Sequence, residues 1–222
     1  ADRSGRLWIG TDRGLLTWNA SGFVHAAGGG GFQVRSVSEG PDGTLWCATA
    51  GDGVLHWRPG DGAMRRFGSD RGFWEGHLTS VMASSDGSVW YTQDFSVTRV
   101  TDSAVLDYVL TRAAPLNDSG VAPFGVTVTN RTGRLLSVNA TSTSALAEDA
   151  QGTVWVGTWR QGLLRQQEGR WTHFPPDSGL DSPDVRALCI GPNGRLWCGT
   201  STGVRVFDGE HWGTLGTASG LS

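Results

Sequence analysis

The sequence predicts an all-β chain assembled from similar four-stranded units, and three observations carry that prediction. One short segment recurs, as "GRLW" at Gly5, "GTLW" at Gly43, "GSVW" at Gly87, "GTVW" at Gly152 and "GRLW" at Gly194, with glycine three residues before tryptophan each time. The tryptophans lie 38, 44 and 42 residues apart where consecutive copies are intact, a period that belongs to solenoids, propellers and arrays. Short apolar runs alternate with Gly, Asp and Asn turns, and no stretch sustains a helical period.

Residues 144–174 show how one unit reads. "SALAED" is an apolar strand ending in an acidic turn, and "QGT" turns the chain into a second strand, "VWVGTW". "RQG" leads to a third strand, "LLRQQ", and "EGR" to a fourth, "WTHF". A lone sheet of this kind would leave two apolar faces and two edges open, and radial stacking of blades covers them. The expectation is a β-propeller of about 40-residue blades. The recurring segment is then each blade's entry turn and second strand, with glycine making the turn and tryptophan filling the space between blades.

Five to six blades are expected, one of them irregular. "NRTGRLLSVN" is a weaker copy with Leu136 in the tryptophan position, and 19 residues separate it from Trp155. Residues 130–148 are therefore expected to be shared between blades or to flank a gap. Residues 1–222 read as a single propeller domain, incomplete at the ends and around 139–145. Cys47 and Cys198 occupy a strand position held by Ile9 and Val156 in other copies. With Cys189, they are expected to be reduced core thiols.

Composition removes several functions. All 18 basic residues are arginine, which excludes a P-loop lysine, a Schiff-base lysine and a lysine base. A net charge of −3 argues against a nucleic-acid partner. No apolar run is long enough to insert into a membrane and no signal peptide is recognisable. Three cysteines make neither a disulfide framework nor a CxxC zinc site.

"GTSTG" around Ser201 matches a nucleophile elbow literally, but the equivalent in the first copy is "GTDRG", so it reads as a hairpin. "AAGGGGF" at 26–32 precedes no helix and reads as a loop. Glu75 and His77, in "RGFWEGHLTSV", are the weak catalytic candidates, as an acid–base pair or as metal ligands. In a propeller, the loops between blades share a face with the turns between second and third strands, and that face surrounds the channel mouth. Residues there that vary between copies are free to specify a ligand. The ligand-binding candidates are Arg13, Asp52, Trp74, His77, Asp94, Trp159 and Arg160. Arginines, carboxylates and tryptophans converging on one rim suit a polar or anionic small molecule, or a sugar stacked on an indole.

"DRSGRLWIGTDRGLLTW", "DAQGTVWVGTWRQGLLR" and "PNGRLWCGTSTGVRVFDG" resemble two-component regulator propeller repeats. That resemblance implies a propeller from the sensor region of a bacterial hybrid histidine kinase. "PFGVTVTNRTGRLLSV" at 123–138 is similar to the related repeats of streptogramin B lyase, a seven-bladed enzyme. The lyase's catalytic acid would fall in "WYTQDF", where this chain has Gln93, and no histidine follows. The expectation is thus a non-catalytic sensory propeller that binds a small polar molecule or carbohydrate, without cofactor or metal, periplasmic or extracellular. A lyase-like propeller enzyme performing metal-assisted elimination with Mg²⁺ or a similar ion is the alternative, and a protein-docking scaffold a further one.

Overall fold

The computed structural model describes residues 1–68, 73, 75–93, 96–112, 124–130 and 142–215. The recurring segment folds the same way in all five copies. Taking each motif tryptophan as position 0, the glycine at −3 adopts a left-handed φ of 75–84° in every copy. Its N–H bonds the carbonyl at −6, and the N–H at −6 bonds the carbonyl at −2. The N–H at −2 is always accepted by an Asx side chain. In two copies this residue stands at −6: Asp2 accepts from Arg6 at 2.8 Å and Asp149 from Thr153 at 2.9 Å. In the other three it stands at −4: Asp42 accepts from Thr44, Asp86 from Ser88 and Asn193 from Arg195. The turn therefore needs one short polar acceptor, and two places can supply it.

The turns feed antiparallel sheets. The first sheet holds β1 (Trp8–Thr11), β2 (Gly14–Asn19) and β3 (Gly22–Gly30). The second holds β4 (Val34–Glu39), β5 (Leu45–Thr49), β6 (Val54–Trp57) and β7 (Arg65–Phe67). The third holds β8 (Leu78–Ala83), β9 (Val89–Gln93), β10 (Ser96–Val100), β11 (Val105–Arg112) and β12 (Phe124–Asn130). The fourth holds β13 (Thr143–Glu148), β14 (Val154–Thr158), β15 (Leu163–Gln167) and β16 (Arg170–Phe174). The fifth holds β17 (Val185–Ile190), β18 (Leu196–Thr200), β19 (Gly203–Phe207) and β20 (Trp212–Leu215). Strand order follows chain order throughout, as a hairpin-connected blade requires.

The irregular stretch is partly accounted for. Phe124–Asn130 is a fifth strand on the third sheet, and Thr143–Glu148 is the ordinary first strand of the fourth. Residues 131–141, with Gly133 and Leu136 of the weaker motif copy, lie outside the described residues.

The chain forms two compact units: Ala1–Asp94 with Thr98–Asp107 and Asn130–Gly133, and Phe95–Val97 with Tyr108–Thr129 and Arg134–Ser222. Within the first, strand alternation sorts β5 between two cores. Leu45 and Cys47 pack with Leu15, Ala26 and Trp57, where Trp8 meets Trp57 edge-on at 5.5 Å. Ala48 and Trp46 pack with Leu78, Val89 and Tyr91, and Trp46 lies 5.2 Å from Phe67. Within the second unit, Trp155 packs with Val185, Leu196 and Cys198 and lies 5.8 Å from Phe207. Trp57 and Phe207 end β6 and β19, the third strands of their sheets. Trp8 and Trp155 thus each meet the third-strand end of the next sheet, as their expected inter-blade role requires. Trp18 stands near the end of β2, the corresponding strand of the first sheet. It is 55% exposed, as is Phe23 beside it at 53%.

One expectation is corrected. Cys47 and Cys198 are fully buried, and burial pushes both thiols up to about 12. Cys189 is exposed. It sits opposite Trp197 in the β17–β18 register.

Candidate functional site

The threonine that follows the motif at the end of the second strand fastens the next turn. Thr11, Thr49, Thr158 and Thr200 each donate Oγ1–H to the carbonyl of the glycine that ends the turn, at 2.7–2.8 Å. In three of the turns this Oγ1 also accepts a backbone N–H, from Arg13, Asp52 or Thr202. The turn backbone is thus fixed while its middle residues differ from sheet to sheet.

These turns are tied to the inter-sheet linkers of their own unit. In the first unit, Gly31 N–H donates to Arg13 O, Ala50 N–H donates to Gln33 O, and Ala50 forms an isolated bridge with His77. Arg13, Asp52 and His77 are consequently on turns and linkers that meet. Arg13 and His77 are exposed and Asp52 is half-buried. Glu75 is exposed, and its carboxylate lies 3.5 Å from the Arg66 guanidinium. Trp74 and Asp94 lie outside the described residues.

The second unit gives the fullest picture. Trp159 follows Thr158 and is 41% exposed. Its N–H is held by Ser142 O at 2.8 Å. Arg160 adopts a left-handed φ of 73°, and its N–H donates to the Asp184 carboxylate at 2.9 Å. Gly162 N–H donates to Pro183 O at 2.7 Å. The β14–β15 turn is therefore pinned on both sides, and the indole projects from a rigid base. The Arg186 guanidinium lies 5.3 Å from the Trp159 ring centroid, within cation–π range. Across the linker, Ser182 and Ser201 share a hydrogen bond of 3.0 Å. Arg205, almost buried, holds Leu180 O at 3.2 Å and the Asp181 carboxylate at 3.4 Å, bracing the linker from beneath.

Arg186 was not among the residues selected from sequence. It occupies the extra residue where β17 shifts register against β18, between Val185 and Ala187. Arg35, Thr79 and Ser144 hold the same place in β4, β8 and β13. A repeat-aligned reading of the first strands contained that signal, because this position varies while the residue after it stays small. Among the described residues no group of three or more His, Cys, Asp or Glu side chains could hold a metal ion.

Residues 137–160 and 179–202 match the two-component regulator propeller family. No curated protein matches the chain in sequence. Among solved structures it is similar to the extracellular domain of a putative one-component system from B. thetaiotaomicron, at 18% identity and a TM-score of 0.66, over 97% of this chain and 27% of that one. It is also similar to virginiamycin B lyase from Staphylococcus aureus, at 13% identity and a TM-score of 0.62, over 96% of this chain and 67% of that one. A third likeness is to YCF48 bound to D1 peptide, at 16% identity and a TM-score of 0.54, over 95% and 63%. These likenesses establish the β-propeller fold. The propeller spans about a quarter of the length of the one-component-system domain.

Proposed function

We propose that this propeller is a non-catalytic recognition module of a bacterial sensory protein, working outside the cytoplasm. We propose further that it binds a small polar molecule, a carbohydrate foremost, through the turn residues of its second unit. The two-component regulator repeats and the likeness to an extracellular domain of a putative one-component system support the sensory part. The observation that carries the binding part is Trp159. A large aromatic stands exposed on a turn whose backbone is bonded on both sides, while the equivalent turns carry Asp12, Ala50 and Ser201. The sheet does not need it there, and exposed tryptophan on a rigid base is suited to stack a sugar ring or another flat polar ligand. Arg186 against the ring and Arg160 at the turn add donors for hydroxyl or carboxylate groups.

A thermal-shift screen of neutral sugars, uronic acids and small carboxylates tests this. A hit should be weakened about tenfold by Trp159→Ala, with the melting temperature of the free protein nearly unchanged. A variant that melts much earlier yet binds as before would place Trp159 in the core and remove the reading.

A further inference from the structure

The chain pairs arginine with tryptophan in two distinct ways. Arg99 lies 5.5 Å from the ring centroid of Trp90, and Arg165 lies 5.8 Å from that of Trp155. Both indoles are buried motif tryptophans, and Arg99 is further committed to Ser88 and to the Asp86 carboxylate. Those pairs serve packing. The Arg186–Trp159 pair is built differently: its members come from neighbouring sheets of the second unit, neither belongs to the motif, and both are exposed. The bulge place that Arg186 occupies needs no cation, since Ser144 fills it in β13 and donates its hydroxyl to Val185 O. The acids of the adjoining linker are already engaged, Asp184 by the Arg160 N–H and Asp181 by Arg205. Among the described residues neither the Arg160 nor the Arg186 guanidinium meets a carboxylate.

We infer that the ligand is an acidic sugar, a uronic acid, whose ring lies on Trp159 and whose carboxylate is taken by Arg186. The inference rests on the reading that Trp159 receives a sugar, and it adds the charge of that sugar and the residue that selects it. A guanidinium against an indole keeps its planar fork of N–H donors free to turn past the ring. That fork matches a carboxylate bidentately, whereas the hydroxymethyl group of a neutral hexose offers it a single oxygen. In a uronic acid the carboxylate stands at the rim of the pyranose, so the apolar C–H face remains free to lie on the exposed indole. Arg160, at the same turn, adds a second positive charge that attracts an anion to this rim. Trp159 then serves neutral and acidic sugars alike, and Arg186 separates them.

The test titrates the whole chain, and its Arg186→Gln, Arg186→Lys and Trp159→Ala variants, by calorimetry at low ionic strength. The probes are glucuronic, galacturonic, mannuronic and guluronic acids, each beside its neutral parent hexose. At least one acid is expected to bind more tightly than its parent by about fivefold or more, with a preference that shrinks as salt is raised. Arg186→Gln should abolish the preference while the parent's affinity and the melting temperature stay nearly unchanged. Arg186→Lys should keep only part of it, because an ammonium keeps the charge and lacks the fork. Trp159→Ala should weaken acid and parent together. Equal binding of every acid and its parent, or a preference that survives Arg186→Gln, would overturn the inference and leave Trp159 as a platform for neutral sugars. Failure of all eight sugars to bind would remove the platform and the inference with it.

Discussion

No atom lies within 4 Å of where a Cβ on Gly43 would sit, yet the residue cannot be exchanged freely. Its φ of 77° is the obstacle, and the four equivalent glycines share that conformation. Gly43→Ala should cost about 1–2 kcal/mol, purely from the left-handed backbone; urea unfolding measures it, and a neutral result would show that the turn relaxes. The Asx residues add a pH dependence. Burial pushes Asp2 and Asp86 up, but hydrogen bonds from Ser4 and Trp8, and from Ser88, outweigh it and hold both at about 2, against an ordinary 3.8. Because the folded values lie below the unfolded ones, these turns contribute fully above about pH 4 and lose that contribution as pH falls toward 2. Urea midpoints between pH 6 and pH 2 should drop over that window, and Asp86→Asn should flatten the drop. Asn193 already shows that a carboxamide oxygen can accept the turn N–H.

At the scale of the element, the two tryptophans Trp155 and Trp18 separate residue type from position. Trp155 is 5% exposed and packs between the fourth and fifth sheets, so Trp155→Ala should cost about 3–5 kcal/mol. Trp18, more than half exposed, should cost about 1 kcal/mol or less when truncated. Equal losses in calorimetry would mean that the two faces are covered alike. The turn at Trp159 makes a second comparison. Thr158 is fully buried and its Oγ1 holds Gly162 O at 2.8 Å, so Thr158→Val should cost about 1 kcal/mol and loosen the base of the indole. The repeat unit, its strand limits and its glycine were legible because turn chemistry and strand alternation are local. The Asx exchange between −6 and −4 was not, since it shows only when the same N–H is followed through all five copies. Arg186 escaped for a related reason: its place depends on a register shift between two strands, which periodicity alone does not reveal.

At the scale of the whole chain, coverage of sheet faces decides what is reactive and what is inert. Cys47 and Cys198 face neighbouring sheets and their thiols are pushed up to about 12, whereas Cys189 is exposed. A thiol reagent should therefore label one cysteine quickly in the native protein and the other two only on unfolding. Labelling of two or three at once would contradict the sheet assignments. The sequence pattern identified a β-propeller because every repeat needs a neighbour to bury its faces. Which faces go uncovered is a property of the assembled sheets, and the cysteine pattern alone misplaced Cys189.

The interchangeable Asx positions bear on how such a chain can have arisen. Each copy carries its acceptor either before or after the single residue at −5, and never at both places. Duplication of a whole repeat preserves this. Unequal crossing-over inside the turn, between a copy of one kind and a copy of the other, yields one product with both acceptors and a reciprocal product with none. The second kind leaves the N–H at −2 unpaired, a defect that selection on folding removes. Breakpoints that gave rise to the present repeats should then fall outside the six residues preceding each motif tryptophan, and the sharpest boundaries between repeat lineages should lie in the linkers.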